Sequence, residues 1–295
     1  MILCVGDIDV DTIITVDALP TADGKVNGRE VARTPGGMAA NVAATIARLG
    51  GAARLFGAIG DDADGVFALD SLRGHGVDVS CVIKYIGTAT FRCVVLVGPG
   101  GEKSLVRLAS PAYLPDAALL TSLLFAGVTH VHTTFGSPAL TLRAQALAAE
   151  VGATISLDIE AADFPAEGAP LRQAIAAADF LFCNRAGHAA LEAALGAAPS
   201  AHARAVITTL GAGGSRMQMG DVVVSVPGIA VAPVDTTGAG DCFAGAFLMA
   251  HRQHAKTLRE SLIFANAAAS LSTLGHGAQT ALPDLASVAA RIKQG

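Results

Sequence analysis

The chain has no Trp, two Tyr and 11 Phe among 295 residues, and neither sign of charge dominates: 20 Lys and Arg stand against 25 Asp and Glu. Scattered basic residues outnumbered by acidic ones exclude a nucleic-acid backbone as the expected partner. So few aromatics also argue against a pocket built to stack a base. No apolar run approaches the roughly 18 residues that a membrane span needs, so no membrane partner is expected. The five cysteines (Cys4, Cys81, Cys93, Cys183, Cys242) are odd in number, far apart and without CxxC spacing. That disfavours a disulfide framework and zinc, and predicts reduced thiols in a cytoplasmic protein. The N-terminus Met1 to Gly6 lacks the basic region of an export signal and reads as a buried strand. Two nucleotide motifs are missing as well: there is no GxxxxGK[ST], and no GxGxxG follows the first strand.

What is present is alternation. Short β-rich runs (Ile2 to Val5, Arg54 to Ile59, Thr129 to Thr133, Thr154 to Asp158, Phe180 to Cys183) exchange with Ala-rich helical runs (Ala39 to Leu49, Gly65 to Arg73, Ala139 to Val151, Leu171 to Ala177). This predicts a mainly parallel sheet with helices on both faces. Two stretches break the rhythm, about 12–34 and 79–108. The second holds strand-like runs Cys81 to Tyr85, Thr90 to Val97 and Lys103 to Leu108, which suggests a small antiparallel sheet serving as a lid or subunit contact. A hairpin is expected over Ser215 to Val226, and helices over Gly238 to His251, Leu258 to Leu274 and Pro283 to Lys293. No linker divides the chain, so a single domain over 1–295 is expected.

The chemistry concentrates where a strand-like Ile229 to Val234 runs into Asp235-Thr-Thr-Gly-Ala-Gly-Asp241 and then an apolar helix. Gly238 and Gly240 permit a tight turn that bares backbone amides, and the helix points its N-terminal N–H groups at the same spot. Asp241, in the first helical turn, is stabilised as an anion and available to take a proton. An amide cradle beside a carboxylate suits transfer of a phosphoryl group to a hydroxyl. Asp9 and Asp11 lie two apart on extended chain, on one face, and can accept hydrogen bonds from neighbouring hydroxyls.

These residues resemble the ribokinase-like, PfkB-type carbohydrate kinases. The resemblance rests on Gly36-Gly-Met-Ala-Ala-Asn41 and Asp235 to Asp241, with Gly57 to Asp62 and Thr209 to Gly214 between them. It implies a Rossmann-like three-layer α/β/α domain with a β-sheet lid often used for a homodimer, and transfer of the γ-phosphoryl of ATP, with magnesium, to a sugar. By position, Asp241 is implied as catalytic base and the amides of Gly238, Ala239 and Gly240 as the anion hole. Asp9, Asp11, Gly37 and Asn41 fall at sugar-site positions. Asn184, Thr209, Gly211, Gly214 and Asn266 fall at nucleotide-site positions.

The departures from the pattern are specific. Asn184-Arg-Ala-Gly187 lacks the Glu of Asn-x-x-Glu that helps organise magnesium, and Asp158 and Glu160 are candidates to replace it. Gly136 stands where ribokinases carry Glu, Met38 where they carry Lys, and Asp9 where they carry Asn. The segments Leu19 to Lys25, Ser110-Pro111 and Leu114 to Asp116 are similar to ketose-directed members. Lys25 or Arg29, if they reach the sugar, point to an acidic acceptor. Relatives can bind a monovalent cation near Asp235 and Thr237, but Ala281 replaces a Ser ligand, which leaves potassium activation open. A nucleoside kinase and a non-catalytic sugar or nucleotide sensor stand as alternatives, with a nicotinamide oxidoreductase more distant.

Overall fold

A computed structural model describes residues 1–161 and 168–294. In chain order the elements begin β1 (Ile2–Val5), β2 (Asp9–Val16), β3 (Gly28–Gly36), α1 (Met38–Arg48), β4 (Ala53–Phe56), β5 (Ala58–Gly60), α2 (Ala63–His75), β6 (Ile83–Tyr85), β7 (Arg92–Val97) and β8 (Lys103–Leu108). They continue β9 (His130–Thr134), α3 (Pro138–Glu150), β10 (Thr154–Asp158), α4 (Gly168–Ala177), β11 (Phe180–Asn184), α5 (Arg185–Leu195), β12 (Val206–Thr209), β13 (Ser215–Met219), β14 (Val222–Val226), α6 (Ala239–Leu248), α7 (Leu258–Ser272) and α8 (Leu285–Gln294).

Eight strands form one sheet in the order β14-β13-β12-β11-β10-β9-β1-β4, parallel except for the β12-β13-β14 hairpins at one edge. Successive residues of β1 feed opposite layers, as the period of two requires. Ile2 and Cys4 join one core with α1, α6 and α7, while Leu3 and Val5 join a second with α3. Both faces of the parallel strands are therefore apolar and covered, giving the expected α/β/α sandwich.

On the first face α1 and α6 meet at close range. Ala39, Ala40, Ala43 and Ala44 are fully buried small residues, and a Cβ on Gly245 would lie 2.8 Å from both the Val42 carbonyl and Thr45. Without side-chain bulk in between, the two helices approach closely enough for their N-terminal turns to share one site. α6 runs on through a π-helical turn, Met249–Gln253.

The second sheet has the order β3-β2-β7-β8, with antiparallel outer ladders and a parallel β2-β7 pair at its centre. It is fastened to α2 by Asp64, whose buried carboxylate pairs with Arg33 of β3 and lies 3.8 Å from Arg92 of β7. Three local expectations are corrected. The run Cys81 to Tyr85 does not enter this sheet; Ile83–Tyr85 pairs in parallel with β5 instead. The run Arg54 to Ile59 is two strands broken at Gly57. Ile229 to Val234 forms no strand: Pro227 and Pro233 lack ladder donors, and the segment is anchored by Val234 N–H to the Thr273 carbonyl (2.7 Å) and by Arg291 to the Ala230 carbonyl.

Candidate active site

The carboxyl ends of β9 to β12 bring polar residues to one edge of the large sheet: the register sets Asp158 beside Thr134 and Asn184 beside Thr209. Open α/β sheets bind ligands at this edge. Asp158, Glu160, Asn184, Thr209, Gly240 and Asp241 line one cleft there, which joins the expected base to two of the expected nucleotide-site residues and to both candidate acids.

Gly238 opens the anion turn in the left-handed region (φ 72°), a conformation that costs glycine least, and serves as the N-cap of α6. Gly37 does the same for α1 (φ 98°), and its own Cβ position is closed off by the Asp7 carbonyl. The Asp7 carboxylate accepts from the Met38 and Ala39 amides at 3.2 and 3.3 Å, so the first turn of α1 is capped by a side chain from the end of β1.

Asn41 and Asp241 come together from opposite ends of the chain. Asn41 Nδ2 donates to Asp241 Oδ2 at 2.8 Å, and its carbonyl accepts from Gln279 Nε2 at 3.0 Å. Gln279 in turn accepts from Ser71 Oγ at 2.9 Å. The helix start was expected to stabilise Asp241 as an anion, but burial instead pushes its carboxyl well above its ordinary value; the Asn41 bond opposes that, and the Asp158, Glu160 and Asp7 carboxylates reinforce it. A raised carboxyl still ionised in use is a stronger base than a solvated one.

Asp9 and Asp11 sit on β2 rather than in a loop, 7% and 8% exposed, and both converge on Gly36, where any side chain would collide with Asp9 Oδ1. Asp9 Oδ2 accepts weakly from Cys93 Sγ (3.7 Å), while Asp9 Oδ1 has no hydrogen-bond partner among the described residues. Burial, then the Asp11 and Asp7 charges, hold the Asp9 carboxyl well above its usual range. Burial, then Asp7 and Asp235, raise Asp11 to about 6 against the attraction of Lys103. A buried acceptor oxygen without a donor is costly unless a ligand supplies one.

Other expected residues take different surroundings. Asn184 caps α5, its Oδ1 accepting the Gly187 amide at 2.7 Å. A Cβ on Gly187 would start 3.1 Å from the Ile159 carbonyl, between Asp158 and Glu160 in sequence. Gly211 and Gly214 bound a 3-10 turn between β12 and β13. Asn266 is buried on α7 and donates to the Val226 and Pro227 carbonyls at 3.3 and 3.2 Å, which fixes the exit of β14. Burial pushes the Cys242 thiol up to about 12, which fits the expected reduced core thiol.

The sequence reading missed four residues that the fold brings in. Gln279 holds Asn41, and Asp7 caps α1. Tyr113 Oη lies 2.5 Å from where a Gly136 Cβ would be, so it fills the space left by the absent Glu. Its ring packs on Phe91 and under the Arg107 guanidinium (4.7 Å). Lys103, from the first position of β8, donates to Asp235 Oδ1 at 3.0 Å and Thr237 Oγ1 at 3.1 Å. Asp235 is a hub: Oδ1 also accepts the Thr237 amide and hydroxyl, and Oδ2 accepts the Gly277 amide. These bonds outweigh burial and hold its carboxyl far below the usual range. The only prior signal for Lys103 was a lone cation opening a lid strand. Lys25 and Arg29 are exposed.

A family profile described as pfkB family carbohydrate kinase matches residues 1–285. An ATP-dependent ribose-1-phosphate kinase of Halopiger xanaduensis is 32% identical, with 99% of this chain and 98% of that protein covered. Fructokinase-1 of Zea mays is 29% identical over 100% of this chain and 98% of its own length. Among solved structures, the Arabidopsis thaliana ribokinase complexed with ribose and ATP superposes with a TM-score of 0.86 at 25% identity, covering 99% of this chain and 98% of that one.

Proposed function

The chain belongs to the pfkB family of carbohydrate kinases, and on that premise we propose that Asp241 is the base and the Gly238 to Gly240 amides the anion hole of its phosphoryl transfer. The enzyme is a sugar kinase, a phosphotransferase from ATP to an alcohol. One observation carries the assignment of roles: a carboxylate in the first turn of α6, raised by burial, follows the Gly238 to Gly240 turn directly and is held in place by Asn41, although the Ala239 amide donates to the Thr236 carbonyl within the turn.

Other hydroxyls of the sugar donate to Asp9 and Asp11 and hold it, while the acceptor hydroxyl gives its proton to Asp241 as its oxygen bonds to the γ-phosphorus. The bond from that phosphorus to the β,γ-bridging oxygen breaks, and ADP leaves. The turn amides meet the negative charge on the transferring oxygens, a role in which fixed dipoles outperform mobile water. Asp158, Glu160 and Asn184 form an oxygen-rich donor set that fits magnesium, bound through its waters, in place of the acid absent at Gly187. When bound, the ion would neutralise charge on the β- and γ-phosphates.

For the acceptor, Asp9 and Asp11 favour a neutral sugar that donates two hydroxyls, with a ketose as first choice. A second reading, an acidic sugar, is favoured by the cations on the same lid: the register places Arg107 opposite Cys93, itself opposite Asp11. The lid edge supports a homodimer, because every residue of β8 is exposed, Leu105, Val106 and Leu108 included. The buried free thiols are consistent with a cytoplasmic setting. The test is ADP release over a panel of ketoses, aldoses, acidic sugars, sugar phosphates and nucleosides, run with wild type and Asp241→Asn. Loss of a general base predicts a drop of about 10²–10⁴-fold in kcat with ATP and sugar still bound. Undiminished turnover in that variant sinks the assignment.

A further inference from the structure

We infer that Lys103 is a built-in monovalent cation for the Asp235 to Asp241 turn, a positioning residue that carries its charge from the lid to the loop presenting the amides. The inference rests on the reading of that turn as the anion hole. The ammonium of a lysine and a potassium ion are similar in size and are satisfied by the same ligands, carboxylate and hydroxyl oxygens. Here Lys103 Nζ has both, at 3.0 Å from Asp235 Oδ1 and 3.1 Å from Thr237 Oγ1. The Asp235 side chain is 8% exposed and the Lys103 side chain 42%, so the pair is shielded on the carboxylate side.

The other hydrogen bonds that Asp235 accepts come from its own turn and from the 277 loop. Thr237 and Gly277 amides and the Thr237 hydroxyl tie the turn to the 277 loop through this one carboxylate. Removing the ammonium would leave an enclosed negative charge facing Asp11 and the phosphate path. Lys103 already supplies a cation to Asp235 Oδ1 and the Gly277 amide takes Oδ2, so both carboxylate oxygens are engaged before any added monovalent ion arrives. Since β8 belongs to the lid and Asp235 to the main sheet's domain, the same contact makes the order of the turn depend on lid position.

The experiment compares wild type, Lys103→Met and Lys103→Arg in KCl, NH4Cl and choline chloride at equal ionic strength. Wild type is expected to vary less than about twofold in kcat among the salts, while Lys103→Met loses roughly tenfold or more in kcat in choline, with a smaller change in sugar KM. KCl or NH4Cl should restore much of that loss, and Lys103→Arg should retain turnover in choline. A readout independent of turnover accompanies it: KCl, against choline, should raise the melting temperature of ligand-free Lys103→Met and not that of wild type. Potassium activation of wild type, full turnover by Lys103→Met in choline, or a loss indifferent to small cations in both turnover and melting each overturns the inference. Failure of the underlying reading shows separately, as turnover retained by Asp241→Asn, and leaves the melting comparison intact.

Discussion

Replacing Asp11 with Asn should stabilise the ligand-free protein, and only at neutral and alkaline pH. Asp11 is 8% exposed and its carboxyl is raised from 3.8 to about 6, with burial the leading cause. A group whose folded-state value lies above its unfolded one contributes stability below the lower value and loses that contribution as pH rises through the upper one. Above pH 6 the ionised carboxylate therefore costs the folded state up to about 3 kcal/mol, at about 1.4 kcal/mol per pH unit, and relaxation around the charge would reduce this to about 1–3 kcal/mol. Asn is nearly isosteric and carries no charge. At roughly 2–4 °C per kcal/mol for a chain of this size, Asp11→Asn should melt about 2–12 °C above wild type at pH 8, with the gap closing near pH 4. Melting curves without ligand from pH 4 to 8 measure it. A gap that is absent at pH 8, or constant across the series, refutes the argument that the site holds Asp11 at an energetic cost. The same variant should bind sugar more weakly, since it loses one charged acceptor.

Gly238→Ala should cost more than about 2 kcal/mol in urea unfolding, because it combines a left-handed φ with overlap on the Ala278 Cβ; Ala278→Gly should recover only part of the loss. The buried pair His130 and His132, bridged by Ser156 Oγ at 2.8 Å from each, should make the protein acid-sensitive. Burial pushes His132 down from 6.5 to about 3, so its contribution is complete above pH 6.5 and is lost as pH falls toward 3, by about 2 kcal/mol at pH 5. Urea midpoints at pH 7 and 5 for wild type and His132→Phe check this, the variant being expected to show the shallower dependence. Asp158→Asn with Glu160→Gln should raise the magnesium concentration needed for half-maximal ADP release roughly tenfold or more while leaving sugar KM largely unchanged; an unaltered magnesium requirement would remove both acids from that role.

The architecture was legible because parallel strands buried on both faces read as short apolar runs, and their helices as Ala-rich spacers between them. The turn around Asp241 was legible for a different reason: glycine spacing and a helix-start carboxylate are local signals. What escaped depended on distance. Lys103 acquires meaning only when the lid sheet folds over residues 132 positions later, and Gln279 only by meeting Asn41 across 238 positions. Ile229 to Val234 has the composition of a strand, but Pro227 before it and Pro233 within it lack ladder donors, and it stays outside the sheets. Asn266 was expected at the nucleotide site on a late helix, where its amide donates to the carbonyls at the β14 exit. Local pattern specifies conformation and leaves the choice of partner to the tertiary fold.

The bond between Asn41 and Asp241 joins residues 200 apart, and the Gln279 bond that steadies it reaches nearly to the last helix. A nascent chain emerging from the ribosome can complete β1, the lid and most of the sheet while Asp241, the proposed base, is still unsynthesised. The Gln279–Asn41–Asp241 chain of bonds can close only after residue 279 has found residue 41, late in a fold rich in distant contacts. Chains stalled before residue 241 would carry the lid and the Asp9 and Asp11 carboxylates without the proposed base.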